Sequence, residues 1–155
     1  MKKILSVLLV CCMLAPLPVL ANNPVSVTLD GKPIAFDVPA EIIGNRTMVP
    51  MRRIFELYSA HVEWFASSRI IIATLGPLMI TMQIDSPTMT VSNVLTEETK
   101  LVTLDVPPCI VPLPDDPYKG RTLVPVRAIS ESIGLLVDWN DETRTVIITT
   151  PQNAN

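Results

Sequence analysis

Histidine occurs once in the 155 residues, cysteine three times and glycine five times, and aromatic side chains make up 5% of the chain. Each shortage excludes something. Copper and zinc centres draw on His and Cys, and beyond the first twelve residues the sequence offers only His61 and Cys109. No metal and no cofactor is expected. The few glycines make no phosphate-cradling loop, and neither Gly-x-Ser-x-Gly nor Cys-x-x-Cys occurs. Basic residues are also short: twelve Lys and Arg stand against fifteen Asp and Glu, a net charge of −3 at pH 7. Nucleic acid and anionic membrane surfaces call for a basic footprint, so neither is expected as a partner.

The long apolar run lies at the N-terminus. Lys2 and Lys3 precede Ile4 to Ala15, interrupted by Ser6, and Val19-Leu20-Ala21 supplies a signal-peptidase site. Residues 1–21 read as a cleaved secretory signal, which places the protein outside the cell or in its envelope. Against a transmembrane reading stand Pro16 and Pro18 and a run short of about 20 residues. Against a lipoprotein stands the lack of a small residue before Cys11 or Cys12. Loss of Lys2 and Lys3 takes the basic count from twelve to ten against fifteen acids, a net charge near −5. Residues 22–155 then fit one domain able to bury a core. No second stretch is apolar for long enough to span a bilayer. Cys109 stands alone after cleavage, so no internal disulfide is expected. It reads as a small hydrophobe in a loop, with a bridge to another chain as the alternative.

What the chain does have is a repeated phrase. "NRTMVPMRRIFELYS" (Asn45 to Ser59) returns as "GRTLVPVRAISESIG" (Gly120 to Gly134), 75 residues later. Each copy starts from a strand-like phrase, "AFDVPAEII" (Ala35 to Ile43) or "TLDVPPCIV" (Thr103 to Val111), and ends in "HVEWFASSRIIIAT" or "LVDWNDETRTVIITT". Trp64 and Trp139 share the offset, as do Arg69 and Arg144. The Asp-Val-Pro phrase is offset by 68, so the second copy carries seven extra residues, within the proline-dense, acidic "CIVPLPDDPYKG".

Periodicity assigns the elements. Pro50 and Pro125 suit the first position of a helix. Behind them Met51, Ile54, Phe55 and Tyr58, and Val126, Ile129 and Ile133, each form one apolar stripe. Gly134 suits the left-handed end of the second helix; Ser59 is a poorer stop. Val62-Glu63-Trp64 and Val137-Asp138-Trp139 alternate as strands, and turns at "ASS" and "NDET" lead into the β-branched runs Ile70 to Ile72 and Val146 to Ile148. Asp30-Gly31 marks a further hairpin, and Pro77 to Ile84, Thr88 to Asn93 and Lys100 to Val106 read as strands. Thr150 to Asn155 reads as a frayed tail. The expected fold is α+β: a twisted, largely antiparallel sheet with two short helices, built from two interlocked strand-helix-hairpin repeats.

The doubled phrase, with Asp-Val-Pro-Pro, Arg-Thr-Leu-Val-Pro-x-Arg, a helix ending in Gly, Val-Asp-Trp and Thr-Arg-Thr-Val, resembles the copper amine oxidase N-terminal domain-like family, also called the stalk domain. The resemblance covers nearly all of residues 22–155. It implies a twisted antiparallel sheet with a helix against it, in a secreted or cell-surface bacterial protein. It does not imply copper, because the copper and quinone site of those oxidases lies in a separate catalytic domain. Ser59 in place of the usual Gly, the Phe65 to Ser68 turn and the proline-rich insertion depart from the family pattern.

Function is then sought among what remains. His61 reads as a surface strand residue. Asp37 with Asp105, or Glu63 with Asp138, could serve as acid and base, but their symmetric placement favours balancing Arg46, Arg52, Arg121 and Arg127. Arg52 with Glu56 and Arg127 with Glu131 stand one helical turn apart. The expectation is a non-enzymatic exported structural or interaction module whose partner is a cell-envelope protein or glycan. Its contact is placed on the insertion, at Pro112, Pro114, Asp115, Asp116, Pro117 and Tyr118, since loops on rigid scaffolds carry binding residues. The alternative is an extracellular glycan- or peptide-binding module using Trp64, Tyr118 or Trp139 as a stacking platform, although both tryptophans suit the core.

Overall fold

The structure, a computed structural model, describes residues 24–113 and 115–153, without the side chains of Pro117, Tyr118 and Asn153. The signal read at 1–21 and Pro114 of the insertion lie outside the described residues. The fold is mostly β, with thirteen strands and two seven-residue helices among the described residues. In chain order the first half comprises β1 (Ser26–Leu29), β2 (Lys32–Pro33), β3 (Glu41–Ile43), β4 (Arg46–Pro50), α1 (Met51–Leu57), β5 (His61–Phe65), β6 (Ile70–Leu75) and β7 (Leu78–Gln83). There follow β8 (Thr88–Asn93), β9 (Thr99–Thr103), β10 (Cys109–Leu113), β11 (Asp116–Pro125), α2 (Val126–Ser132), β12 (Leu136–Asn140) and β13 (Thr145–Thr149).

Three sheets form where one was expected: β12-β13-β1-β2, β10-β11-β4-β3 and β5-β6-β7-β8-β9. The helices separate them, because each turns the chain out of β4 or β11 before its hairpin begins. All pairs are antiparallel except β1 with β13, where Ser26 to Leu29 run alongside Thr145 to Ile148. The two copies of Thr-x-Val-Pro meet directly in the β4–β11 pair, with Val49 opposite Val124, Leu123 opposite Pro50 and Pro125 opposite Met48.

Pro50 and Pro125 stand one residue earlier than expected, at the N-caps. Each is still paired in the sheet, which holds ψ extended at 116° and 110° while the ring fixes φ near a helical value. The helices bury most of the anticipated stripes, Met51, Ile54 and Phe55 in α1 and Val126 and Ile129 in α2, while Tyr58 and Ile133 are half-buried and Ser130, outside the stripe, is buried as well. α1 lies against β11 and β5, and α2 against β4 and β12. Both close in the same way. Ala60 N–H reaches Phe55 O (3.0 Å) and Ser59 N–H reaches Glu56 O (2.9 Å); Leu135 reaches Ser130 O (3.0 Å) and Gly134 reaches Glu131 O (3.1 Å). This six-to-one plus five-to-two pattern requires a left-handed residue. Gly134 adopts φ +85° there and Ser59 is forced to +57°.

The strand phrases before each copy are shorter than read. Residues 35–39 and 104–108 are irregular, because Pro39, Pro107 and Pro108 have no N–H to give a ladder. The insertion is not a free loop but the end of the β10–β11 hairpin: Pro112 opposes Gly120, Leu113 opposes Asp116, and the register shifts between them. Nor is the tail frayed from Thr150. Its N–H and hydroxyl bond the Asp30 carboxylate at 2.9 and 3.2 Å, and Pro151–Asn153 make a 3-10 turn. One core joins the three sheets and both helices, through Val27, Val49, Ile54, Phe55, Ile71, Ile80, Met89, Val124, Ile129 and Ile148. Among the described residues, no helix is long and apolar enough to cross a membrane.

Candidate functional site

The recurring charges are matched across the two copies. Asp37, in the irregular stretch before β3, accepts from Arg121 Nε at 2.5 Å, and Asp105, in the equivalent stretch before β10, accepts from Arg46 Nε at 2.7 Å. The Arg46–Asp105 ion pair closes to 2.5 Å at Nη2. The hydrogen bond from Arg121 is the main reason that the Asp37 carboxyl titrates below its ordinary range. A carboxylate held ionised in this way is a weak proton acceptor. Arg127 pairs with Glu131 at 3.5 Å as anticipated. Glu56, however, pairs with Arg53 at 4.0 Å and not with Arg52, since Arg53 is already drawn across by the Ala35 carbonyl at 3.2 Å.

The remaining acid-base candidates are also apart. Glu63 sits on β5 with the exposed His61 ring 3.6 Å away. Asp138, on β12, accepts the backbone N–H of its own neighbour Trp139 at 2.8 Å. Cys109 is half-buried at the start of β10, and burial, helped by Glu41 and Asp85, pushes its thiol up and away from the thiolate. On the hairpin, Asp115 is exposed and Asp116 pairs with Lys119 at 3.0 Å.

A cleft of about 650 Å³ is the feature that sequence reading missed. It opens between β9 with the segment after it, the β3–β4 turn, α2, and the β12–β13 hairpin. Its floor reaches the core at Leu104, Val126 and Val146, and Trp139 forms part of one wall. The indole is half-buried and its Nε1–H donates to Asp141 at 3.2 Å. Trp64, expected in the core, is instead 40% exposed on β5, a strand at the edge of its sheet. The signal that could have pointed to the cleft was Trp139 itself; its other walls come from segments far apart in sequence.

A mostly β domain with two short helices is the class that this geometry defines. The chain belongs to the copper amine oxidase N-terminal domain family, whose pattern it matches over residues 28–148. No curated protein and no solved structure shows significant similarity to it. The donor set does not fit the copper in the family's name. His61 is exposed on β5, Cys109 is held as the thiol on another sheet, and among the described residues no three His, Cys, Asp or Glu side chains converge.

Proposed function

We propose that this chain is an exported bacterial module, secreted or held in the cell envelope, that works as a non-catalytic structural or interaction domain built from two interlocked strand-helix-hairpin copies. The observation that carries this reading is the crossed pairing of Asp37 with Arg121 and of Asp105 with Arg46. Four of the charged residues that recur in both copies, Asp37, Asp105, Arg46 and Arg121, are engaged in holding one copy to the other rather than in chemistry. Membership in the family supports the same reading.

The protein acts through its surface, and the end of the β10–β11 hairpin, Pro112 to Tyr118, is the first contact to test. Partner capture from envelope extracts by residues 22–155 should fall when Pro112 to Tyr118 is deleted from a variant that still folds. Copper titration of the same protein should show no stoichiometric binding at micromolar concentration; such binding would overturn the non-catalytic reading. N-terminal sequencing of the exported chain should begin at Asn22, and a cytoplasmic chain retaining residues 1–21 would overturn the export.

A second reading has one observation in its favour, the placement of Trp139 on the cleft wall. On that reading the module binds an extracellular glycan or peptide, with the indole as a flat amphipathic contact.

A further inference from the structure

We propose that the cleft beside Trp139 is a docking groove for an extended peptide strand without net charge, which adds to the open edge of β12. This rests on the ligand-cleft reading and commits it to one class of ligand.

The edge itself makes the argument. β12 ends its sheet, with β13 on one side and, among the described residues, no strand on the other. Val137, Asp138 and Trp139 all border the cavity. Successive side chains of a strand point to opposite faces, so a cavity touching three in a row lies against the backbone edge. The backbone groups there face outward. Ser26 N–H and Asp30 N–H take the carbonyls of Arg144 and Ile148 at 3.0 and 2.9 Å. By the period of two, Val146 also turns its peptide groups towards β1. Val137 opposes Ile148 and Trp139 opposes Val146. Both therefore turn their own N–H and C=O away from β13, towards the open edge. The Trp139 N–H confirms the direction, since it is satisfied by the Asp138 carboxylate at 2.8 Å. A donor covered by a side chain of its own strand is kept from pairing indiscriminately, as an exposed edge requires.

Shape and charge select the occupant. Two outward residues spaced i and i+2 are what an added strand reads, and the core-reaching floor at Leu104 and Val126 accepts an apolar side chain between polar ones. β12 is five residues long, which sets the length of the docked segment. The rim carries four basic and four acidic side chains. It therefore favours neither a polyanion nor a polycation, although the whole chain is at −3.

The test is selection of a displayed random heptapeptide library on residues 22–155. Enriched peptides should alternate apolar and polar residues and slow amide exchange at Val137 and Trp139. Their affinity should drop at least about tenfold in Trp139→Ala, as for a central aromatic contact, and vanish in Val102→Arg, which fills the groove. Asp138→Ala should bind them more tightly by removing the competing acceptor, a gain that misfolding cannot imitate. Failure to enrich peptides, affinity indifferent to Val102→Arg, or protection confined to the β10–β11 hairpin would overturn the inference. Chitooligosaccharides serve as the glycan probe: binding that Val102→Arg abolishes, without protection of the two amides, would overturn the strand and keep the ligand cleft. If neither probe class depends on Val102, the ligand-cleft reading itself falls.

Discussion

Trp64 and Trp139 occupy the same place in two occurrences of one phrase, yet one is 40% exposed and the other is half-buried in a cleft wall with its indole N–H bonded to Asp141. The hairpins that carry them have the same pairing: Trp64 opposes Ile71 and Trp139 opposes Val146, each one pair from the turn. Even the strained residue is shared, since Arg69 and Arg144 close the two turns at φ +55° and +50°. What differs is the neighbour. β6 continues antiparallel into β7, β8 and β9, whereas β13 takes β1 in parallel. Like phrases thus produce like local geometry, and the packing around each decides whether its tryptophan lies on an open face or beside a groove.

The comparison can be broken most severely by separating the halves. Residues 22–85 and 86–155, expressed apart, should each lack a cooperative urea transition, because both the β4–β11 and β1–β13 pairs cross the cut. A cooperative transition in either half would refute the shared core. Next in size are Ile54→Ala and Ile129→Ala, the matched stripe residues, both with no exposed surface. Each should cost about 2–5 kcal/mol in urea unfolding, and a loss below about 0.5 kcal/mol would remove that residue from the core. Exchanging the helix stops should move stability in opposite directions. Ser59→Gly relieves a left-handed serine and should gain roughly 0.5–1 kcal/mol, while Gly134→Ser should lose about 1–2 kcal/mol. The smallest effect is electrostatic. With its carboxyl held below the ordinary 3.8 by Arg121, Asp37 stabilises the fold above that value, and the contribution is lost as pH falls through the lower folded value. Both partners are about half-exposed, so screening limits the effect to less than about 1 kcal/mol. Wild type should exceed Asp37→Asn in urea midpoint at pH 6, and the gap should shrink by pH 3.

Much of this architecture is legible in the residues. Ile54 and Ile129, the Val-x-Trp alternations and Asp30-Gly31 with φ of +48° and +75° are local signals, and each element formed where its signal lies. The division into three sheets and the parallel β1–β13 pair were not legible, since nothing in Ser26 to Leu29 names a partner more than a hundred residues away. The cleft was hidden for the same reason. Trp139 could be singled out, but Leu104, Val126 and Val146 become its floor only through tertiary packing.

The pairing of β1 with β13 also sets a clock. Between Leu29 and Thr145 the ribosome takes on the order of ten seconds at about 5–20 residues per second, and through that interval the first strand has only the two-residue β2 beside it. Strand β4 likewise has only the three-residue β3 beside it until β11 is made. The sheet that holds both ends of the chain can therefore be completed only once residues 145–149 have emerged.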